Sequence, residues 1–189
     1  MNTSKDSERA RVVIALAGRR VDAPAAKQHR FPVGNEDRVK ERIQTLFASR
    51  NATALVCSAA CGADLLALEA AETLHMRRRV VLPFSREVFR RTSVVDRSGD
   101  WGSRYDRALD QVEEKNDLVV LGFREDDSGA YVATNSGILD DAASQARELG
   151  LGILAVVVWD QSRGPSDITE QFLNEATRRH IEVAALSTL

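Results

Sequence analysis

The segment Val56-Cys57-Ser58-Ala59-Ala60-Cys61-Gly62-Ala63-Asp64-Leu65-Leu66 reads as the end of a strand, a turn of small residues and the start of a helix. Val56 and Cys57 close a short apolar run. Ser58 to Gly62 turn the chain with side chains small enough for close backbone approach. Leu65, Leu66 and Leu68 among alanines then carry a strong helix signal. A strand that feeds a helix through a tight small-residue turn is the unit of an α/β fold, and it directs the reading of the rest of the chain.

On the N-terminal side, Val12–Ala17 is a compact β-branched run ending at Gly18, the pattern of a buried strand. Arg19–Gly34 is irregular, with Pro24 and Pro32. Glu36–Arg50 places Val39, Ile43, Leu46 and Phe47 on one helical stripe. On the C-terminal side, Val80–Leu82 reads as a third strand stopped by Pro83. The arginines at 77–79 read as the solvated end of the preceding helix, where cations complement the dipole. Phe84–Gly102 shows no clean period beyond one helical turn at Arg86–Arg91. A helix at Tyr105–Glu114, a strand at Leu118–Leu121 and a helix at Val132–Leu149 closed by Gly150 follow. Gly152–Trp159 is the longest strand, and a helix at Asp167–Arg179 leads to a last strand, Ile181–Leu186. The expected fold is a Rossmann-like three-layer α/β sandwich with a mainly parallel central sheet of five to six strands. The expected organisation is a polar N-terminal tail at 1–10 and one domain over 11–189.

The composition agrees with an ordinary globular chain: 43% hydrophobic and 29% charged residues, with a net charge of -2. That balance disfavours nucleic acid as a partner, as do aromatic residues at only 5%. The longest apolar run, Ile153–Trp159, is far short of a bilayer span, and Met1–Ala10 has no apolar core. No membrane association is expected, and the cytoplasm is the expected location. Cys57 and Cys61 have no second cysteine pair or nearby histidine, so both are expected as free thiols, with no metal and no cofactor.

In open parallel sheets, ligands lie outside the carboxyl ends of the strands. The turn at 57–64 occupies such a place. Gly62 can take a positive φ, the first N–H groups of a helix lack internal partners, and Ser58 adds a hydroxyl. Phosphate binding there stands against a turn shaped for packing alone. Asp64, in the first helical turn, would repel a phosphate, so it either caps the helix or bonds a ribose hydroxyl. Gly18-Arg19-Arg20 follows the first strand, and Arg19 has the fork that suits a phosphate. Trp101, in the long polar stretch after the third strand, either stacks on a base or anchors the loop. Asn135, near the start of the helix after the fourth strand, either contacts a sugar or base or only caps the helix.

The run Ser58-Ala59-Ala60-Cys61-Gly62-Ala63-Asp64-Leu65-Leu66 is similar to the Ser-Gly-Gly-Ala-x-Gly-Ala-Asp turn of the SLOG superfamily, which includes LOG-type nucleotide hydrolases and the DNA-processing protein A fold. The resemblance implies a Rossmann-like nucleotide-binding domain, closest to bacterial sensor domains, with the ligand held at Ser58–Asp64. Such a domain would report to an effector protein or work as a homo-oligomer. The Pro-Gly-Gly-x-Gly-Thr-x-x-Glu string of LOG-type hydrolases is absent here. The sequence therefore favours a nucleotide sensor without chemistry of its own. The alternative is a hydrolase of the N-glycosidic bond of a nucleoside phosphate, with Asp64, Asp100 or Asp106 as the carboxylate.

Overall fold

The computed structural model describes residues 11–162, 164 and 167–189. Six strands, β1 (Val12–Gly18), β2 (Ala52–Cys57), β3 (Arg77–Leu82), β4 (Leu118–Val120), β5 (Gly152–Trp159) and β6 (Glu182–Ser187), form one sheet in the order β4-β3-β2-β1-β5-β6. Every pairing is parallel. The chain steps outward from β1 to β4, then returns through a 20-residue helix and restarts beside β1 at β5. The strand order therefore reverses between β1 and β5.

The helices are α1 (Glu36–Ser49), α2 (Ala63–Thr73), α3 (Arg86–Ser93), α4 (Trp101–Glu114), α5 (Ala130–Leu149) and α6 (Ile168–Arg178), with one 3-10 turn at Val33–Asn35. The pleat of β1 sorts its side chains. Ile14 and Leu16 join the core beneath α1, α2 and α4, while Val13, Ala15 and Ala17 join the core beneath α5 and α6. This is the three-layer sandwich that the apolar strand runs predict. α2 is buried on almost every side, from Ala63 through Ala71, because α1 and α4 cover the face turned from the sheet.

Three differences from the sequence pattern have identifiable causes. The arginines at 77–79 open β3 instead of ending a helix. α2 stops at Thr73, and His75 takes a positive φ of 56°. Each arginine then meets an acceptor: Arg77 binds Asp117 at 2.6 Å, Arg78 donates to Gln111 at 2.9 Å, and Arg79 binds Asp141 at 2.5 Å. A strand with charged side chains is stable here because each guanidinium has an acceptor. The stretch after β3 is also more ordered than its missing period implies. Ser85 caps α3 by accepting from the Val88 N–H, and α4 begins at Trp101, four residues earlier than expected. Finally, α5 begins at Ala130, two residues early. Gly150 ends it with φ 65°, as expected of a left-handed cap. The expected tail at 1–10 lies outside the described residues.

Candidate functional site

A cleft of about 600 Å³ opens over the carboxyl ends of β1 and β2. The loop after β1, the turn at Ser58–Asp64 and the first turns of α5 and α6 contribute its walls. It lies at the reversal in strand order, where doubly wound sheets leave a crevice. Its size falls within the range of small-molecule sites.

The turn is fixed by the loop after β1. Arg20 bridges to Gly62, and the Ala63 N–H donates to the Arg19 carbonyl at 3.0 Å. Gly62 has φ 103°, and a Cβ there would sit 2.7 Å from both the Arg19 carbonyl oxygen and the Val21 nitrogen. Only glycine fits. Gly18 is equally confined, since its Cβ would lie 2.4 Å from that of Ala63.

Three N–H groups of the turn are taken up by protein acceptors. Ala60 N–H donates to Asp64 Oδ2 at 3.2 Å, Cys61 N–H to the Ser93 carbonyl at 3.1 Å, and Ala63 N–H to Arg19. Of the expected contacts in the turn, Ser58, Ala60 and Asp64 line the cleft. Ala59, Cys61 and Ala63 are fully buried and belong to the core beneath α2. Cys57 and Cys61 are both free and buried, and burial pushes each thiol up.

Asp64 is 6% exposed. Burial raises its pKa to about 7, against the lowering effects of the Ala60 N–H and the Arg20 guanidinium. Its Oδ1 and the Ser58 Oγ are buried oxygens without a hydrogen-bond partner.

Arg19 reaches the cleft wall but is saturated. It binds Asp160 at 2.8 Å, pairs closely with Asp167, donates to the Ser162 carbonyl at 2.8 Å and lies over the Trp159 ring. Arg30 adds longer contacts to the same two carboxylates, at 3.8 and 3.5 Å. This cluster ties the end of β1 to the segment after β5. Asp167 also caps α6 by accepting from the Glu170 N–H at 3.0 Å.

Arg20 and Arg97 are different. Both line the cleft, and both bind the same carboxylate, Asp96, so two guanidiniums share one negative charge. Arg20 also donates from Nε to Cys61 Sγ at 3.4 Å, and Arg97 to the Val21 carbonyl at 3.2 Å. The apolar walls include Phe89, Ile138 and Tyr131. The Tyr131 ring is held edge-on by Phe84, and its hydroxyl lies 2.9 Å from Ser93 Oγ.

Asn135 lines the cleft, with Nδ2 donating to the Ile168 carbonyl at 2.9 Å. Gly18 lies there too. The remaining candidates do not. Trp101 is 1% exposed and stacks beneath the Arg104 guanidinium, 4.1 Å from the ring centre, so it anchors α4 instead of facing the cleft. Asp106 holds Arg90 at 2.9 Å, and the Asp100 side chain is 75% exposed. Neither is among the cleft residues.

Arg97, Asp160 and Asp167 are absent from the sequence-based expectations. The two aspartates stand just after a strand and at a helix cap, which was a usable signal; Arg97 sits in a polar stretch with no pattern to single it out. Among the described residues, no group of three or more His, Cys, Asp or Glu side chains is placed to hold a metal. Among them, no helix is long and apolar enough to cross a membrane.

No family model matches the chain, and no curated protein matches it. Among solved structures it is similar to DNA processing protein A (DprA) from Streptococcus pneumoniae, at 14% identity and a TM-score of 0.40. The likeness covers 94% of this chain and 59% of that one, so the chain spans less than two thirds of that protein. It is a distant relationship of fold alone.

Proposed function

We propose that the cleft binds a nucleotide or a nucleotide-derived phosphorylated small molecule and signals its presence without chemistry of its own. The observation that carries this reading is the furnishing of the cleft at the reversal between β1 and β5. Aromatic and apolar side chains from Phe89, Tyr131 and Ile138 face the same space as two arginines sharing one carboxylate. A flat base suits the first and a phosphate the second. The test is a thermal-shift panel of AMP, GMP, cyclic mononucleotides, NAD and ADP-ribose, with each sample analysed afterwards for breakdown. A stabilising ligand recovered intact supports a binding domain. No shift with any member sinks the reading. A sensor of this kind works through an effector protein or a second copy of the chain.

One observation favours the hydrolase as a second reading. Of the three carboxylates that the sequence offers for cleavage of an N-glycosidic bond, only Asp64 lines the cleft, and its pKa lies near 7. A carboxyl poised near neutrality suits proton transfer. Breakdown products in the same panel, absent with Asp64→Asn, would put the hydrolase first.

A further inference from the structure

The turn at Ser58–Asp64 carries two buried oxygens, Ser58 Oγ and Asp64 Oδ1, that have no partner in the protein. They stand at the end of β2 and in the first turn of α2, and both residues line the same cleft. Leaving such groups unsatisfied is costly. Three N–H groups of the turn, at Ala60, Cys61 and Ala63, are already taken by protein acceptors. What the turn adds, beside its remaining N–H groups, is a hydroxyl and a carboxyl oxygen.

We infer that this turn receives the hydroxyl-bearing sugar of the ligand and not its phosphate, with Ser58 Oγ and Asp64 Oδ1 each engaging a sugar hydroxyl. The inference rests on the nucleotide reading of the cleft and deepens it. A phosphate is an acceptor with negative charge, and the ionised Asp64 repels it. A sugar hydroxyl both donates and accepts. It can donate to Asp64 Oδ1 as a carboxylate, accept from the protonated carboxyl, and exchange either role with Ser58. Burial that holds Asp64 near neutrality at physiological pH makes this two-way partner the better match. The phosphate is then left to Arg20 and Arg97, whose shared Asp96 leaves one positive charge in excess.

The experiment compares adenosine, guanosine, cytidine and uridine with their 2′-deoxy and 3′-deoxy forms, the matching monophosphates, and pyrophosphate alone, by calorimetric titration. A ribo form should bind at least about tenfold tighter than its deoxy forms, since a site built to bond a hydroxyl rejects the analogue lacking it. Ser58→Ala, a small change that the turn can fold around, should erase most of that preference, and Asp64→Asn should reduce it. Ribo and deoxy forms binding alike overturn the inference while leaving the nucleotide reading intact. So does pyrophosphate whose binding weakens in Ser58→Ala. If none of these binds and no member of the thermal-shift panel stabilises the protein, both fall together.

Discussion

The Asp64 carboxylate turns one oxygen onto the Ala60 N–H, 3.2 Å away, and leaves the other buried without a partner. One residue thus fixes the turn by closing a short ring within it and still keeps one buried polar atom unpaired. A burial cost accompanies the arrangement, seen in a pKa raised from 3.8 to about 7.

That shift has a sign. The folded protein holds a proton on Asp64 between pH about 4 and about 7, where the unfolded chain has released it. Stability from this group is therefore complete below pH 4 and declines as pH rises, by about 1.4 kcal/mol per pH unit across the window. Asp64→Asn carries no ionisable group, so its stability relative to wild type should climb steadily from pH 5 to pH 7 and level off above. Urea denaturation at several pH values, with Asp96 and Arg20 left in place, measures it. A difference that stays flat with pH would show Asp64 ionised throughout.

Gly62 is a residue of the fold before it is one of the site. Its positive φ and the 2.7 Å approach of two backbone atoms to a Cβ leave no room for a substitution. Gly62→Ala should lose about 2–5 kcal/mol from strain and overpacking together. Gly34→Ala, at a position with open space around its Cβ, should change little. A Gly62→Ala protein as stable as wild type would mean that the loop after β1 yields easily.

Arg19 sits between two carboxylates whose side chains are 4% and 2% exposed. Arg19→Met removes their principal cation and leaves Arg30 at longer range. The expected loss is about 3–5 kcal/mol, because an uncompensated buried charge costs more than the pair contributes. For Asp160, burial pushes the pKa up, but the Ser162 hydroxyl and Arg19 outweigh it and hold the group below 3.8. Its stabilisation is present above that value and lost as pH falls through the lower folded pKa. Removing Arg19 raises the folded pKa, so acid unfolding of Arg19→Met should begin at higher pH than in wild type. Adding Asp160→Asn to Arg19→Met should recover part of the loss. If it recovers nothing, the cluster is not the source.

The fold was legible because continuous apolar runs at Val12–Gly18 and Gly152–Trp159 have few structures open to them other than buried parallel strands. The gathering of several candidate residues around one cleft was legible; the pairing of their side chains was less so. Ser58, Asp64, Gly18 and Asn135 come to one cleft because all four stand at strand ends or helix starts, which the pattern places at one edge of the sheet. Trp101 carried a misleading signal. An aromatic in a polar stretch suggests a ligand platform, but here Trp101 packs with Tyr105 in the core beneath α4. The surroundings of Arg19 were hidden for another reason: its partners Asp160 and Asp167 lie 141 and 148 residues away, so local sequence gives no hint of them.

Arg97 separates the phosphate contribution from that of the sugar. Its guanidinium lines the cleft and shares Asp96 with Arg20, so its removal leaves Arg20 neutralised and the excess charge gone. Arg97→Ala should weaken binding of a nucleoside monophosphate several-fold while leaving the parent nucleoside unchanged. The salt dependence of binding should flatten in step, because screening acts on the lost charge. The substitution also removes a bond to the Val21 carbonyl, at 3.2 Å. Arg97→Lys keeps the charge and lacks the planar fork, so it should restore the salt dependence more fully than the affinity. Equal losses for nucleoside and monophosphate would instead mark Arg97 as a support for the loop after β1. The two titrations, run at low and high salt on each variant, decide between these roles.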